Sequence, residues 1–130
     1  TCSGLTMVPH PWTTELSDLK GRCETIADVS FNSVLANLYR NGQDSMGWHQ
    51  DNEPELGRNP IIASINLGET RRFVLRNLHC KTQIEYELSH GSLLIMAGEL
   101  QHHWKHAVPK TAKTKGERIN LTFRHIVTNY

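Results

Sequence analysis

The spacing of apolar residues changes once along the chain, near residue 30. Over residues 12–26 the apolar positions recur every three or four residues, at Leu16, Leu19, Cys23 and Ile26, which predicts an amphipathic helix. Beyond residue 30 the period shortens to two, and clusters of Gly, Asn, Pro and Asp separate short segments, as is typical of strands and turns. We therefore expect a mainly β domain that follows one N-terminal amphipathic helix.

Eight segments carry the two-residue period. The predicted strands cover residues 31–39, 48–51, 61–67, 72–76, 83–88, 92–96, 103–107 and 118–126. In the last strand Ile119, Leu121 and Phe123 alternate with polar residues, so one face is apolar and the other is polar. A polar face within a small β domain indicates a lined cavity, and regular strand spacing without βαβ units favours a jelly roll or an up-and-down barrel.

Length and composition predict one domain over residues 1–130. The chain has 130 residues, 38% of them hydrophobic, and its longest apolar run, residues 93–97, falls far short of the roughly 20 residues that span a membrane. It begins with Thr1 and shows no leader-like apolar stretch, so we expect upstream sequence to be missing. Three scattered cysteines favour a reducing intracellular compartment, cytoplasmic or nuclear, and we expect a monomer that does not associate with membranes.

Charge is unevenly distributed although the formal net charge is only +1. Residues 1–57 carry three basic and eight acidic side chains, whereas residues 101–130 carry six basic and one acidic. The basic flank includes Lys105, Lys110, Lys113 and Lys115. It predicts phosphate contacts, with ordinary solvated charge as the alternative.

A short motif offers metal ligands. His49 and Asp51 lie two residues apart on a predicted strand, which places both side chains on one face with α-carbons about 6.6 Å apart. A third ligand is available from His102, His103 or His106. Two histidines and one carboxylate form the facial triad of non-haem Fe(II) oxygenases, and zinc is the alternative metal.

The polar face of the last strand offers an anion site. Arg118 and Arg124 lie six residues apart, with about 20 Å between their α-carbons. If both lean inward they can hold the two ends of a short dicarboxylate, because arginine binds carboxylates in bidentate fashion; surface salt bridges are the alternative. Asn37 and Tyr39 share a face with Leu35 and suit the wall of a pocket.

Five segments occur in a recognisable order: FNSVLANLYRN from residue 31, WHQD from 48, PIIAS from 60, HGSLLIM from 90 and RINLTFR from 118. Together they resemble the AlkB family of Fe(II)- and 2-oxoglutarate-dependent dioxygenases, in the branch of animal AlkB homologues two and three and their bacterial relatives. The resemblance implies a double-stranded β-helix of jelly-roll type that uses Fe(II), O2 and 2-oxoglutarate. It also implies oxidative demethylation of bases such as 1-methyladenine and 3-methylcytosine in alkylated DNA or RNA, as in direct-reversal repair.

The resemblance extends to individual residues. It implies that iron is bound by His49, Asp51 and His106, the last because it precedes Ala-Val-Pro as the family's distal ligand does, while His102 and His103 are bystanders. The residues implied for 2-oxoglutarate are Asn37, Tyr39, Arg118, Thr122 and Arg124, and those expected to contact the substrate are Glu53, Leu35 and Ser3.

Two alternative functions stay open. One is a 2-oxoglutarate oxygenase that acts on proteins or small molecules, and the other is a non-enzymatic metal-binding β-barrel. The set formed by Asn37, Tyr39, Arg118 and Arg124 argues against the second, because a structural metal has no use for a dicarboxylate clamp. A demethylase would act on single strands or extrude the base from a duplex.

Overall fold

Two four-stranded sheets, one long helix and one single-turn helix make up the computed structural model, which describes residues 12–127. The elements are α1 (Thr14–Ala27), β1 (Ser33–Tyr39), β2 (Met46–His49), a 3₁₀ turn (Pro54–Leu56), β3 (Ile62–Gly68), β4 (Arg71–Asn77), β5 (Gln83–Leu88), β6 (Leu93–Met96), α2 (Leu100–His103), β7 (Trp104–Val108) and β8 (Arg118–Arg124). The expectation of a mainly β domain behind an N-terminal helix is confirmed.

Successive strands switch from one sheet to the other, except for β4 and β5, which are neighbours in the same sheet. One sheet has the order β1-β8-β3-β6 and the other β2-β7-β4-β5, and every pairing is antiparallel. Two packed antiparallel sheets with these crossings form a jelly roll. Because β8 pairs with both β1 and β3, its side chains lie in the middle of the first sheet.

The two faces of the first sheet contribute to different cores. Side chains from both sheets, including Tyr39, Ile62 and Phe73, pack together in the interior of the roll. On the opposite face, Leu121 and Phe123 of β8 pack in a second cluster that also contains Cys23 of α1. The helix therefore covers the apolar face of β8, and the polar face of that strand turns inward.

Helix α1 begins at a side-chain cap. The hydroxyl of Thr13 accepts a hydrogen bond from the Leu16 amide at 3.2 Å, and the helix ends at Asp28 in the left-handed conformation, with φ 56°. Cys23 is buried as predicted, but Ile26 is 65% exposed, so its assignment to the buried stripe is wrong. Successive helical residues turn by about 100°, so Ile26 points about 60° away from Cys23, at the margin of the stripe.

The two strands that carry His49 and His106 have other boundaries than the sequence predicts. The strand predicted over 48–51 is Met46–His49, so Asp51 lies beyond it, because its amide donates to the Gln101 side chain at 2.9 Å. The short helix α2 was not predicted, and the strand that follows it covers Trp104–Val108. Among residues 12–127 no helix has the length and apolar character needed to cross a bilayer.

Candidate active site

The β2–β7 ladder places two histidines side by side. His49 ends β2 and lies opposite His106 in the register, with ring centroids 4.2 Å apart. His49 Nδ1 lies 2.8 Å from the Gly47 carbonyl oxygen, which can only accept, so Nδ1 carries the proton. In the neutral imidazole this hydrogen bond leaves the lone pair on Nε2, the atom that faces Asp51.

Asp51 brings a carboxylate between these rings. Its Oδ1 atom lies 3.8 Å from His49 Nε2 and its Oδ2 atom 3.3 Å from His106 Nε2. One candidate ligand atom from each of the three residues lies within 4.8 Å of the others. Burial acts to raise the pKa of Asp51, but the two histidines and Arg124 outweigh it, so the pKa lies below its usual range and the carboxylate is ionised.

His106 is poorly satisfied by the protein alone. The residue is 3% exposed, its Nδ1 atom makes no hydrogen bond within the described part of the chain, and its Nε2 atom has only the Asp51 carboxylate nearby, at 3.3 Å. A buried imidazole normally has its nitrogen atoms bonded, so the unpartnered Nδ1 atom and the convergence of Nε2 with the other two ligand atoms favour a site that a bound ligand completes. Neutral imidazoles and a carboxylate are suited to Fe(II) and to zinc.

The other two candidate histidines are engaged elsewhere. His102 Nε2 lies near the Arg58 carbonyl oxygen and 2.9 Å from Asn59 Oδ1, and His103 Nδ1 lies 3.0 Å from His79 Nε2. Neither belongs to the cluster of potential metal ligands.

A cavity between the sheets opens beside His49, Asp51 and His106. It is lined by all the residues implied for iron and for 2-oxoglutarate, and by Leu35: His49, Asp51, His106, Asn37, Tyr39, Arg118, Thr122 and Arg124. Ser64, Phe73 and Asn120 also line it and were not singled out from the sequence. Asn120 could have been found, because it lies between Arg118 and Thr122 on the same alternating face of β8.

Arg118 is a buried cation at one end of this cavity. It is 2% exposed, it donates through Nη2 to Asn66 Oδ1, and its Nε and Nη1 atoms make no hydrogen bond to residues 12–127. Its guanidinium carbon lies 4.8 Å from the centre of the Tyr39 ring, and Arg71 lies over the same ring at 5.5 Å. Burial lowers the pKa of Arg118, and Tyr39 opposes that effect. A guanidinium held in this way requires an anion.

Arg124 lies toward the metal-ligand end. Its charge contributes to the lowered pKa of Asp51, and its Nε atom is buried without a partner among the described residues. Thr122, between the two arginines in sequence, donates to the Leu35 carbonyl oxygen at 3.3 Å. The cavity thus has a cationic group at each end.

The residues expected to contact substrate are placed less fully. Leu35 lines the cavity and is 38% exposed. Glu53 does not line it, but its Oε2 atom is buried and makes no hydrogen bond within residues 12–127. Ser3 lies outside the described residues.

Gln101 is a residue of this region that sequence reasoning missed. It is 1% exposed and accepts a hydrogen bond from the Asp51 amide. No pattern identified it, because α2 is one turn long and carries no recognisable period.

Comparisons with known proteins agree on a family. The family model described as the 2OG-Fe(II) oxygenase superfamily matches residues 4–124. Human alpha-ketoglutarate-dependent dioxygenase alkB homolog 3 is 45% identical over 97% of this chain and 48% of its own length. Bovine DNA oxidative demethylase ALKBH2 is 38% identical over 98% of this chain and 49% of its own.

Structural comparison supports the same fold. The structure of OsALKBH1 matches with a TM-score of 0.61 at 23% identity, covering 85% of this chain and 60% of that one. The chain spans about half the length of the two curated relatives named above. It belongs to the 2OG-Fe(II) oxygenase superfamily and, within it, to the AlkB family.

Proposed function

We propose that the protein is an Fe(II)- and 2-oxoglutarate-dependent dioxygenase that removes methyl groups from N-alkylated nucleic-acid bases. The observation that carries this proposal is a single cavity with a His-Asp-His cluster at one end and, at the other, the buried guanidinium of Arg118, two of whose nitrogen atoms have no partner among residues 12–127. The names of the human and bovine relatives support both the cosubstrate and the demethylation.

The residues present fit a metal ion. We assign His49, Asp51 and His106 as its ligands, because the ligand atoms converge and the ring nitrogens of His106 have no partner outside this cluster among residues 12–127. Bound Fe(II) supplies the activation of O2 that couples oxidation of 2-oxoglutarate to succinate and CO2 with hydroxylation of an N-methyl group, which is then lost as formaldehyde. The protein supplies orientation and a partly dry cavity.

The cosubstrate lies along the cavity in this proposal. Arg118 binds the carboxylate remote from the metal, assisted by Tyr39, whose ring packs against the guanidinium. Arg124 neutralises charge near the metal. Asn37 and Thr122 contribute polar groups to the wall between these ends.

The methylated base enters from the open side near Leu35, and Glu53 reads its charge. Methylation at N1 of adenine or N3 of cytosine makes the base cationic, so a carboxylate favours the lesion over the normal base. The buried, unpartnered Oε2 atom of Glu53 supports such a role. Ser3 is proposed as a further substrate contact.

Basic side chains outside the cavity contact phosphates in this proposal. Lys105, Lys110 and Lys113 have no carboxylate within 4.0 Å in the described part of the chain, whereas Lys115 pairs with Glu69 at 3.6 Å. Three of the four lysines of the basic flank are therefore available to an anionic strand.

The proposal includes a monomer in a reducing compartment. Cys80 is free and exposed, which fits intracellular conditions.

The test is direct assay of demethylation. Single-stranded oligonucleotides that carry 1-methyladenine or 3-methylcytosine are incubated with the protein, Fe(II), O2 and 2-oxoglutarate, and the product base is identified by mass spectrometry. We expect the unmodified base, and no product with His106→Ala. Turnover of 2-oxoglutarate without loss of methyl from either base would favour a protein or small-molecule substrate, and no turnover would favour a non-enzymatic metal-binding barrel.

A further inference from the structure

The fold holds Asp51 differently from the two histidines. His49 and His106 are opposed in the β2–β7 ladder, whereas Asp51 lies between the end of β2 and the turn Pro54–Leu56. Its amide donates to Gln101 Oε1 at 2.9 Å. The position of Asp51 therefore depends on a side-chain hydrogen bond and not on strand pairing.

Gln101 also holds Gln50, the residue before Asp51. The Gln50 side chain donates through Nε2 to the main-chain oxygen of Gln101 at 2.7 Å. Two consecutive residues of the loop, Gln50 and Asp51, are thus attached to one residue of α2. Because the bonds lie on adjacent residues, they restrict both the position and the rotation of the Asp51 backbone.

The burial of Gln101 is hard to explain by packing alone. A fully buried amide costs free energy unless its polar atoms are bonded, so an apolar side chain would fill this space at lower cost. Among residues 12–127 its Nε2 atom has only the weak acceptor Met96 Sδ, at 3.8 Å. The bond to the Asp51 amide is the strong one that the side chain makes.

One continuous segment carries both Gln101 and His106. Helix α2 ends at His103 and β7 begins at Trp104 with no residue between them. The segment therefore sets the place of His106 directly and that of Asp51 through Gln101. The short stretch from Gln101 to His106 therefore helps to set the distance between these two ligands.

We propose that Gln101 is a positioning residue for metal binding, an inference that rests on the assignment of Asp51 as a ligand. Without its hydrogen bond the loop at residues 50–53 samples more conformations, and binding of the metal must then order it. Loss of a partner that orients a metal ligand typically lowers metal affinity about 10- to 100-fold.

The test measures the affinity of the full chain for Mn(II), by calorimetric titration without O2 or 2-oxoglutarate. Gln101→Met removes the amide at similar volume, and we expect the Kd for Mn(II) to rise about 10- to 100-fold. Cys23→Ala is the matched control, since it alters a fully buried side chain in the cluster beneath α1. It should lower thermal stability and leave the Kd unchanged.

A second variant keeps the test decisive if Gln101→Met does not fold. Gln50→Met removes only the bond to the main-chain oxygen of Gln101, on a half-buried residue, and should raise the Kd several-fold. An unchanged Kd in folded Gln101→Met, or in Gln50→Met where the first variant is unfolded, overturns the role of Gln101. If the unaltered chain binds no Mn(II), the proposed function fails and this inference fails with it.

Discussion

At the scale of single residues, the site contains polar groups that are costly to bury without a partner, and these groups line a cavity in which a ligand can bind them. His106, Arg118 and Arg124 all have buried nitrogen atoms without partners in the described part of the chain. Each such atom destabilises the protein on its own, by roughly 1 to 3 kcal/mol for a buried donor. Their grouping around one cavity indicates a site shaped for bound metal and anion.

Sequence spacing could identify these residue types but could not choose among the histidines. His102, His103 and His106 were equal candidates from the pattern alone, and the resemblance to the AlkB family favoured the last. The structure places only His106 beside His49 and Asp51. Register decides this, because the β2–β7 pairing sets which histidine faces His49.

The first prediction separates a ligand from a bystander. His103→Ala removes a contact with His79 and should leave the Kd for Mn(II) within about threefold of the unaltered chain, a difference of under 1 kcal/mol. His106→Ala removes a proposed ligand and should abolish binding. Calorimetric titration measures both. The reverse pattern would show that the ligand assignment is wrong.

The second prediction concerns the cosubstrate. Arg118→Ala should raise the KM for 2-oxoglutarate about 10- to 150-fold, or roughly 1.5 to 3 kcal/mol, because a buried charge-assisted contact is lost. The KM for the oligonucleotide should change little. Arg72→Ala is the control, since Arg72 is exposed and paired with Glu85. An unchanged KM for 2-oxoglutarate in Arg118→Ala would contradict the assignment.

The third prediction concerns the charge of the base. Glu53→Gln keeps the shape of the side chain and removes its charge, so kcat/KM should fall for 1-methyladenine and 3-methylcytosine by roughly 1 to 3 kcal/mol. Activity on a neutral base such as 3-methylthymine should fall little or rise. Glu55→Gln, in the adjacent turn, is the control. Equal losses on cationic and neutral bases would assign Glu53 to the support of the loop.

At the scale of elements, β8 links the core to the chemistry. Its odd-numbered residues Leu121 and Phe123 pack beneath α1, and its even-numbered residues line the cavity. The strict alternation predicted from the sequence therefore describes this strand well. The elements that sequence reasoning misplaced, α2 and the end of β2, are those held by side-chain hydrogen bonds, which leave no period to detect.

The fourth prediction tests whether the close approach of Gly68 to Glu117, the residue before β8, helps to position Arg118. Gly68 has φ 90°, and a Cβ there would clash with the Glu117 carbonyl oxygen, immediately before Arg118. Gly91 has φ 80°, and apart from its chain neighbours no atom of the described residues lies within 4 Å of such a Cβ, so Gly91→Ala isolates the backbone strain of roughly 1 to 2 kcal/mol.

Gly68→Ala should therefore lower the free energy of unfolding by at least about 1 kcal/mol more than Gly91→Ala, in the range found for overpacking. It should also raise the KM for 2-oxoglutarate, because Arg118 shifts with its neighbour. Chemical denaturation and steady-state kinetics measure the two effects. Equal stability of the two variants would show that the contact with Glu117 yields without cost.

At the scale of the whole molecule, the two sheets and the helix have separate tasks. The interior of the roll holds the site, and α1 shields the far face of the first sheet. The succession of strands was predictable because alternation and turn residues are local features of sequence. The pairing of β1 with β8 and of β2 with β7 was not, because it joins residues distant in the chain.

The central claim is that one cavity couples 2-oxoglutarate to demethylation of a base. The measurement that tests it most directly is the ratio of succinate to formaldehyde released from a single-stranded oligonucleotide carrying 3-methylcytosine. We predict about one formaldehyde for each succinate, equal to the number of methyl groups lost, with neither product formed by His106→Ala. Succinate without formaldehyde, or formaldehyde that persists in His106→Ala, would contradict the account.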